Sequence, residues 1–297
     1  MTLESVATCP VCSSHRFIPH LTAQDHTTTG ETFALVKCTG CELIITTPRP
    51  TATDIGRYYE SDQYISHTSA STTWFDKAYQ KVRSLNLETK QRLIERYQRA
   101  GRILDYGCGT GQFFAHMKKK GWTGDAIEPS PPARQRASIE TDQPIHANWS
   151  TIPSHPYQVI TLWHVLEHVH DLPGTLQQLK THLADTGTLF IAVPNHRAHD
   201  ANQYQQHWAA YDVPRHLWHF HQTAMQQLLT VHGFRLVEVC PMKWDAYYVS
   251  LLSEGYRSPT RSKAVRLLRA CHTGWQSNQK ATRSGEYSSL IYIATHA

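Results

Sequence analysis

The chain has 297 residues, 40% hydrophobic and 18% charged, with a formal net charge of +5. These values fit a soluble globular protein with a sizeable core, built as one large domain with an appendage or as two modest domains. The mild positive charge permits an anionic substrate or a nucleic acid without pointing to either, and no apolar stretch approaches the length of a bilayer span.

The opening residues include Glu4 and no apolar run, so no secretory leader is expected and the cytoplasm is the expected location. Residues 1–50 read as a small β module, with strand-like runs at 31–37 and 43–47. It carries Cys9-Pro10-Val11-Cys12 and Cys38-Thr39-Gly40-Cys41, two C-x-x-C knuckles with 25 residues between them. Such pairs grip opposite sides of a tetrahedral ion, and four thiolates leave no open position, so a structural Zn2+ held by Cys9, Cys12, Cys38 and Cys41 is expected. Redox use of either pair is the competing reading. Residues 51–100 read as a helical connector with Leu85, Leu87, Leu93, Ile94 and Tyr97 on a basic background.

From residue 101 onward strand-like and helical runs alternate, the pattern of a parallel sheet with crossover helices. Strands are expected at 102–106, 123–128, 157–163, 188–193, 235–239 and 289–295, with a short one near 144–147. Helices are expected at 111–120, 132–140, 171–184 and 222–232. Asp171 serves as N-cap of the third and Gly233 as C-cap of the fourth.

The first of these strands ends in Asp105-Tyr106 and runs into Gly107-Cys108-Gly109-Thr110-Gly111, then a helix. Glycines allow the sharp turn and the close approach of a ligand. The dinucleotide fingerprint would need glycine at 112, where the chain has Gln112. The G-x-G-x-G spacing instead suits an adenosyl-amino-acid cofactor. Glu128, ending the next strand, is placed to accept bonds from both ribose hydroxyls.

These segments, with 159–169 (Val-Ile-Thr-Leu-Trp-His-Val-Leu-Glu-His-Val), resemble the motifs of class I S-adenosylmethionine-dependent methyltransferases. The resemblance is closest to the ubiquinone/menaquinone-biosynthesis-type family, including members with an N-terminal cysteine-rich module, and is clear over residues 100–240. It implies a doubly wound, Rossmann-like α/β fold with a seven-stranded sheet whose last strand is antiparallel. It implies cofactor contacts from Asp105, Tyr106, Gly107, Gly109, Gly111, Glu128, Asn148, Trp149, Leu162, Trp163 and His164. Two departures stand out. Asn148 occupies the place where an acid commonly meets the adenine amino group, and its amide oxygen can still accept that bond. Tyr157-Gln158-Val159 replaces an aromatic-Asp-hydrophobic triplet.

Methyl transfer needs a proton acceptor only where the acceptor group must lose a proton. Glu167 and His168 are candidates for that role, the alternative being that they shape the loop. The long aromatic-rich connection 195–221 reads as an acceptor-side lid with Tyr211, Arg215 and His216 as polar candidates. The spacing His216-x-x-His219-x-His221 has no carboxylate or cysteine in register, so these read as lid histidines. Residues 245–285 form a basic insertion, either a solvated helix or a surface for peripheral membrane or anionic contact. The expected activity is methyl transfer to a small-molecule acceptor, oxygen first. C-methylation of a nucleotide-activated sugar follows, since deoxysugar C-methyltransferases resemble this layout; RNA methylation and a non-enzymatic cofactor-binding scaffold rank lower.

Overall fold

The computed structural model describes residues 2–60 and 86–297; Leu85 of the expected connector lies outside them. The chain opens with β1 (Leu3–Glu4), β2 (Phe17–Gln24), β3 (Thr32–Cys38), β4 (Ile44–Thr46) and β5 (Arg49–Pro50). Of these, β2 and the two-residue strands β1 and β5 were not expected from the sequence, and β2 is the longest of them. Its residues are mostly exposed and include Pro19 and His20, so it lacks the alternation that marks a half-buried strand.

A 3-10 turn at Ile55–Tyr59 and helix α1 over 86–95 lead into the main domain. There β6 (Arg102–Tyr106), α2 (Gln112–Lys119), β7 (Thr123–Ile127), α3 (Pro131–Thr141), β8 (Tyr157–Trp163), α4 (Leu172–His182) and β9 (Leu183–Pro194) alternate as expected. The lid follows with α5 (His199–Tyr204) and β10 (Trp218–His219), then α6 (Gln222–Val231) and β11 (Phe234–Pro241). The basic insertion is two helices, α7 (Asp245–Arg257) and α8 (Lys263–Ser284), before β12 (Ser289–His296). The carboxylate of Asp171 caps α4 by accepting the Gly174 N–H at 3.0 Å.

The main sheet has the order β11-β12-β9-β8-β6-β7, with β6 to β9 parallel and β12 antiparallel to both neighbours. Among the described residues it has six strands rather than the expected seven. The segment 144–147 contributes a single bridge, His146 to Ile127, because Pro144 has no N–H to donate and the run ends within two residues. One face of the sheet packs Ile103, Phe114, Met117, Val159 and Phe190 with Ile94 of α1. The other face packs Leu104, Ile160 and Leu162 together with Cys9, Cys38, Cys41, Leu43 and Ile45, so the cysteine end shares a core with the main domain.

A second sheet, β10-β4-β3-β2, includes a strand of the lid: Trp218 pairs with Ile45 and His219 with Ile44. In the insertion, α8 turns small residues inward (Ala270, Thr273, Gly274, Ser277 and Ala281). A Cβ on Gly274 would meet Tyr247 Cδ1 at 2.7 Å, which shows how closely α7 and α8 approach. The buried Glu254 draws Arg261 and Arg269 to 3.3 Å. Among the described residues no helix is long and apolar enough to cross a membrane.

Candidate active site

Parallel strands β6 and β7 deliver Asp105 and Glu128 to the C-terminal edge of the sheet, where ligands bind in open α/β folds. Asp105 is 2% exposed and accepts the Thr161 hydroxyl at 2.7 Å. Burial raises its carboxyl to about 7, against the opposing pull of the Thr161 bond and of Lys90. Glu128, 9% exposed, accepts the Gly109 N–H at 2.9 Å and the Ser130 N–H at 2.8 Å, and burial raises it as well.

The three loop glycines all have positive φ, but their surroundings differ. A Cβ on Gly107 would meet Val165 Cγ2 at 2.6 Å, and one on Gly111 would meet Ala137 Cα at 2.9 Å. A Cβ on Gly109 would meet nothing within 4 Å. The outer two glycines therefore admit neighbouring backbone and side chains, while the middle one borders open space beside Glu128.

Lys90 of α1 lies with its ammonium 4.3 Å from the Trp163 ring centre, and burial lowers it to about 8 against the attraction of Asp245 and Asp105. His164, at φ 57, follows β8 and stands between two carboxylates: Nε2 is 3.1 Å from Asp245 and Nδ1 is 3.4 Å from Glu167. Burial opposes its charge, but Asp245 and Glu167 outweigh that and raise it to about 9. Leu162 is fully buried, and the Trp163 indole N–H is buried without a partner.

At the other end, Trp149 stacks on Tyr106, with ring centres 4.8 Å apart, and its indole N–H is also buried without a partner. The amide oxygen of Asn148 accepts both the N–H and the hydroxyl of Ser150, so its NH2 is the group left to a ligand. Gln158 also finds its reason here: its Oε1 accepts the Arg102 N–H at 2.8 Å, satisfying the backbone at the start of β6.

On the acceptor side Glu167 is 0% exposed, its partner is His164 Nδ1 at 3.4 Å from Oε1, and neither carboxyl oxygen is in a well-formed hydrogen bond. Glu167, His168 and His216 each bring one ligand-type atom within 4.8 Å of the others'. His168 Nδ1 is 3.1 Å from the Arg215 carbonyl and 3.0 Å from the Tyr59 hydroxyl, and His216 Nδ1 is 2.9 Å from the Ala210 carbonyl. Tyr211 is not in this group; its hydroxyl is 3.3 Å from His20 Nε2 of β2. Arg215 acts as a buried clamp rather than a free cation. It donates to Asp212, to Asp25 at 3.0 Å and to the Tyr58 carbonyl at 2.8 Å, joining the lid to the β2–β3 turn.

The four knuckle cysteines gather as expected and none is in a disulfide: Cys9 Sγ is 3.5 Å from Cys41 Sγ, and Cys12 Sγ is 3.5 Å from Cys38 Sγ. Sequence reasoning missed Lys90, Asp245 and Tyr59. Each reaches the site from an element far away in the chain, which no local spacing reveals.

The model of a methyltransferase domain matches residues 79–239, more than half of the chain. The chain belongs to the class I S-adenosylmethionine-dependent methyltransferases. Among solved structures it is similar to magnesium protoporphyrin IX methyltransferase of Synechocystis PCC 6803 with bound S-adenosylhomocysteine. That match has 12% identity, covers 82% of this chain and 99% of that one, and has a TM-score of 0.52. It is also similar to a mycolic acid cyclopropane synthase complexed with S-adenosylhomocysteine, at 12% identity over 76% of this chain and 89% of that one, TM-score 0.51. Both likenesses speak for the fold. No curated protein matches the sequence.

Proposed function

We propose that this methyltransferase acts on a hydroxyl oxygen of a small molecule, with the donor in the Asp105–Gly109–Glu128 cradle and the acceptor against Glu167, His168 and His216. The observation that carries the reading is the run of charged groups joining the two halves. Lys90 feels the charges of both Asp105 and Asp245, Asp245 holds His164 at 3.1 Å, and His164 lies 3.4 Å from Glu167. The cradle fits S-adenosylmethionine: the space at Gly109 is open, and unpartnered indole N–H groups mark its two ends at Trp149 and Trp163.

In this reading Asp105 holds the ammonium, Lys90 the carboxylate, Glu128 the ribose hydroxyls, and the Asn148 NH2 an adenine ring nitrogen. The bound cofactor supplies an electrophilic methyl group on a sulfonium. The chain's own contribution is alignment and exclusion of water. A carboxylate with two imidazoles is the equipment for an acceptor that must lose a proton, as a hydroxyl must. A carbon acid beside a ketone has the same need. Together with the four-cysteine layout, that favours C-methylation of a nucleotide-activated ketosugar as the second reading.

The four cysteines fit Zn2+. Sulfurs bound at about 2.3 Å in a tetrahedron lie about 3.8 Å apart, close to the two 3.5 Å separations here. Cys9, Cys12, Cys38 and Cys41 would hold it as a structural ion.

The test is transfer of labelled methyl from S-adenosylmethionine to pools of hydroxylated small molecules, nucleotide-ketosugars and RNA. Label on an oxygen of a small molecule is expected. Label only on carbon moves the second reading ahead. Label on RNA, or none anywhere despite cofactor binding, overturns the proposal.

A further inference from the structure

We propose that Glu167, His168 and His216 form a binding site for a first-row divalent transition-metal cation on the acceptor side, separate from the four cysteines. Three observations converge. The Glu167 carboxylate is fully buried and incompletely served: His164 Nδ1 stands 3.4 Å from Oε1 but shares its charge with Asp245, and neither oxygen is in a well-formed hydrogen bond. The partner of His216 Nδ1 is the Ala210 carbonyl, and His168 Nδ1 faces the Arg215 carbonyl. A carbonyl can only accept, so His216 carries its proton on Nδ1 and keeps the Nε2 lone pair for a ligand; His168 Nδ1 lies between the Arg215 carbonyl and the Tyr59 hydroxyl, and its Nε2 is the nitrogen without these partners. The three groups already lie within 4.8 Å of one another. Ligands bound at about 2.1 Å lie about 3.0–3.4 Å apart, so binding draws them together by at most about 1.4–1.8 Å.

Neighbouring charges narrow the ligand set. Asp212 Oδ2 is 3.9 Å from His216 Nε2, but the Arg215 guanidinium engages both Asp212 oxygens. His164 shares Glu167 Oε1 at 3.4 Å and is balanced by Asp245 on its other nitrogen. Two imidazoles and one carboxylate suit zinc, iron, cobalt or nickel better than magnesium or calcium. Three protein ligands also leave coordination positions for water or an acceptor oxygen, whose proton a bound cation makes more acidic. That role rests on the acceptor assignment above; the binding does not.

The experiment uses the whole protein with its cysteine site loaded with zinc, titrated with Co2+ and followed by visible absorption and metal analysis. A second metal per chain is expected, with cobalt d–d bands but without the thiolate charge-transfer band of a cysteine site. Glu167→Gln and His216→Gln should each weaken it at least tenfold while leaving the first equivalent in place. His168→Gln, at a partly buried position, gives the same reading should the buried variants fail to fold. Saturation at one metal per chain overturns the site, as does a second equivalent that all three variants bind like the parent. S-adenosylhomocysteine affinity, measured in parallel, reports on the donor cradle, so its loss would count against the functional reading and leave the metal result standing.

Discussion

Cofactor affinity should rise with pH through neutrality because of Asp105. Burial holds its carboxyl at about 7 in the free protein, while a bound ammonium requires the carboxylate. Below that value the proton must leave before binding, so the apparent Kd scales as one plus ten to the power of (7 − pH). Between pH 6 and 7.5 this factor falls from about 11 to about 1.3, an eightfold tightening equivalent to about 1.3 kcal/mol. Glu128, also raised by burial, acts in the same direction. The linkage has a second consequence: between about pH 4 and 7 the folded chain binds a proton at Asp105 that the unfolded chain has lost. Stability of the free protein therefore declines across that window as pH rises, and the cofactor offsets the decline. The assay is calorimetric titration of S-adenosylhomocysteine over the pH range, with Asp105→Asn as control. The variant should bind at least tenfold more weakly at pH 7.5 and show little pH dependence. A parent whose affinity is flat from pH 6 to 7.5, or an Asn variant with the parent's slope, refutes the assignment.

Glu128→Ala should raise the cofactor Kd by more than tenfold, since it removes a charged acceptor for two hydroxyls, and unchanged affinity would remove Glu128 from the ribose contact. Gly111→Ala, at φ 79 with its Cβ 2.9 Å from the Ala137 backbone, should lower unfolding stability by about 2–4 kcal/mol in urea titration. Gly109→Ala should cost only about 1 kcal/mol of stability yet weaken cofactor binding; equal stability losses would contradict the difference in their surroundings. Arg215→Met should destabilise by about 3–5 kcal/mol by leaving Asp25 buried without its cation, and Arg215→Lys should not restore it, because one ammonium cannot serve Asp25, Asp212 and the Tyr58 carbonyl together. A Met variant as stable as the parent would remove the clamp.

The fold around the proposed donor half was legible because its signals are local. Strands 102–106 and 157–163 match β6 and β8, and the glycine spacing with Gln112 separates this loop from a dinucleotide loop. What escaped depends on partners far away in the chain. The short β10 forms only because β4 offers an edge more than 170 residues earlier, and Arg215 reads as an acceptor contact until Asp25 is seen beside it. Gln158 looked arbitrary in the sequence, whereas its partner is a backbone N–H on the adjacent strand. The expected third strand failed for a local reason, Pro144, that could have been weighed more heavily.

The same long-range contacts bear on what the cysteine knuckles do. Thr46 of β4 donates to the His216 carbonyl at 2.8 Å, the Tyr59 hydroxyl lies 3.0 Å from His168, and His221 of the lid meets the Cys41 carbonyl at 2.9 Å. Both imidazoles of the acceptor group are thus positioned by residues from the first 60, whereas Asp105, Gly109 and Glu128 take their hydrogen bonds within the main domain. Removing the metal expected at the cysteines should therefore act unequally. Its loss frees four thiols that pack in the shared core and loosens β3 and β4, and with them Thr46 and the lid strand. S-adenosylhomocysteine affinity should stay within about threefold, while methyl transfer falls at least tenfold and recovers on adding Zn2+. A parallel loss of affinity and turnover would show that the knuckles support the whole domain rather than its acceptor wall. Unchanged turnover would show that the wall stands without them.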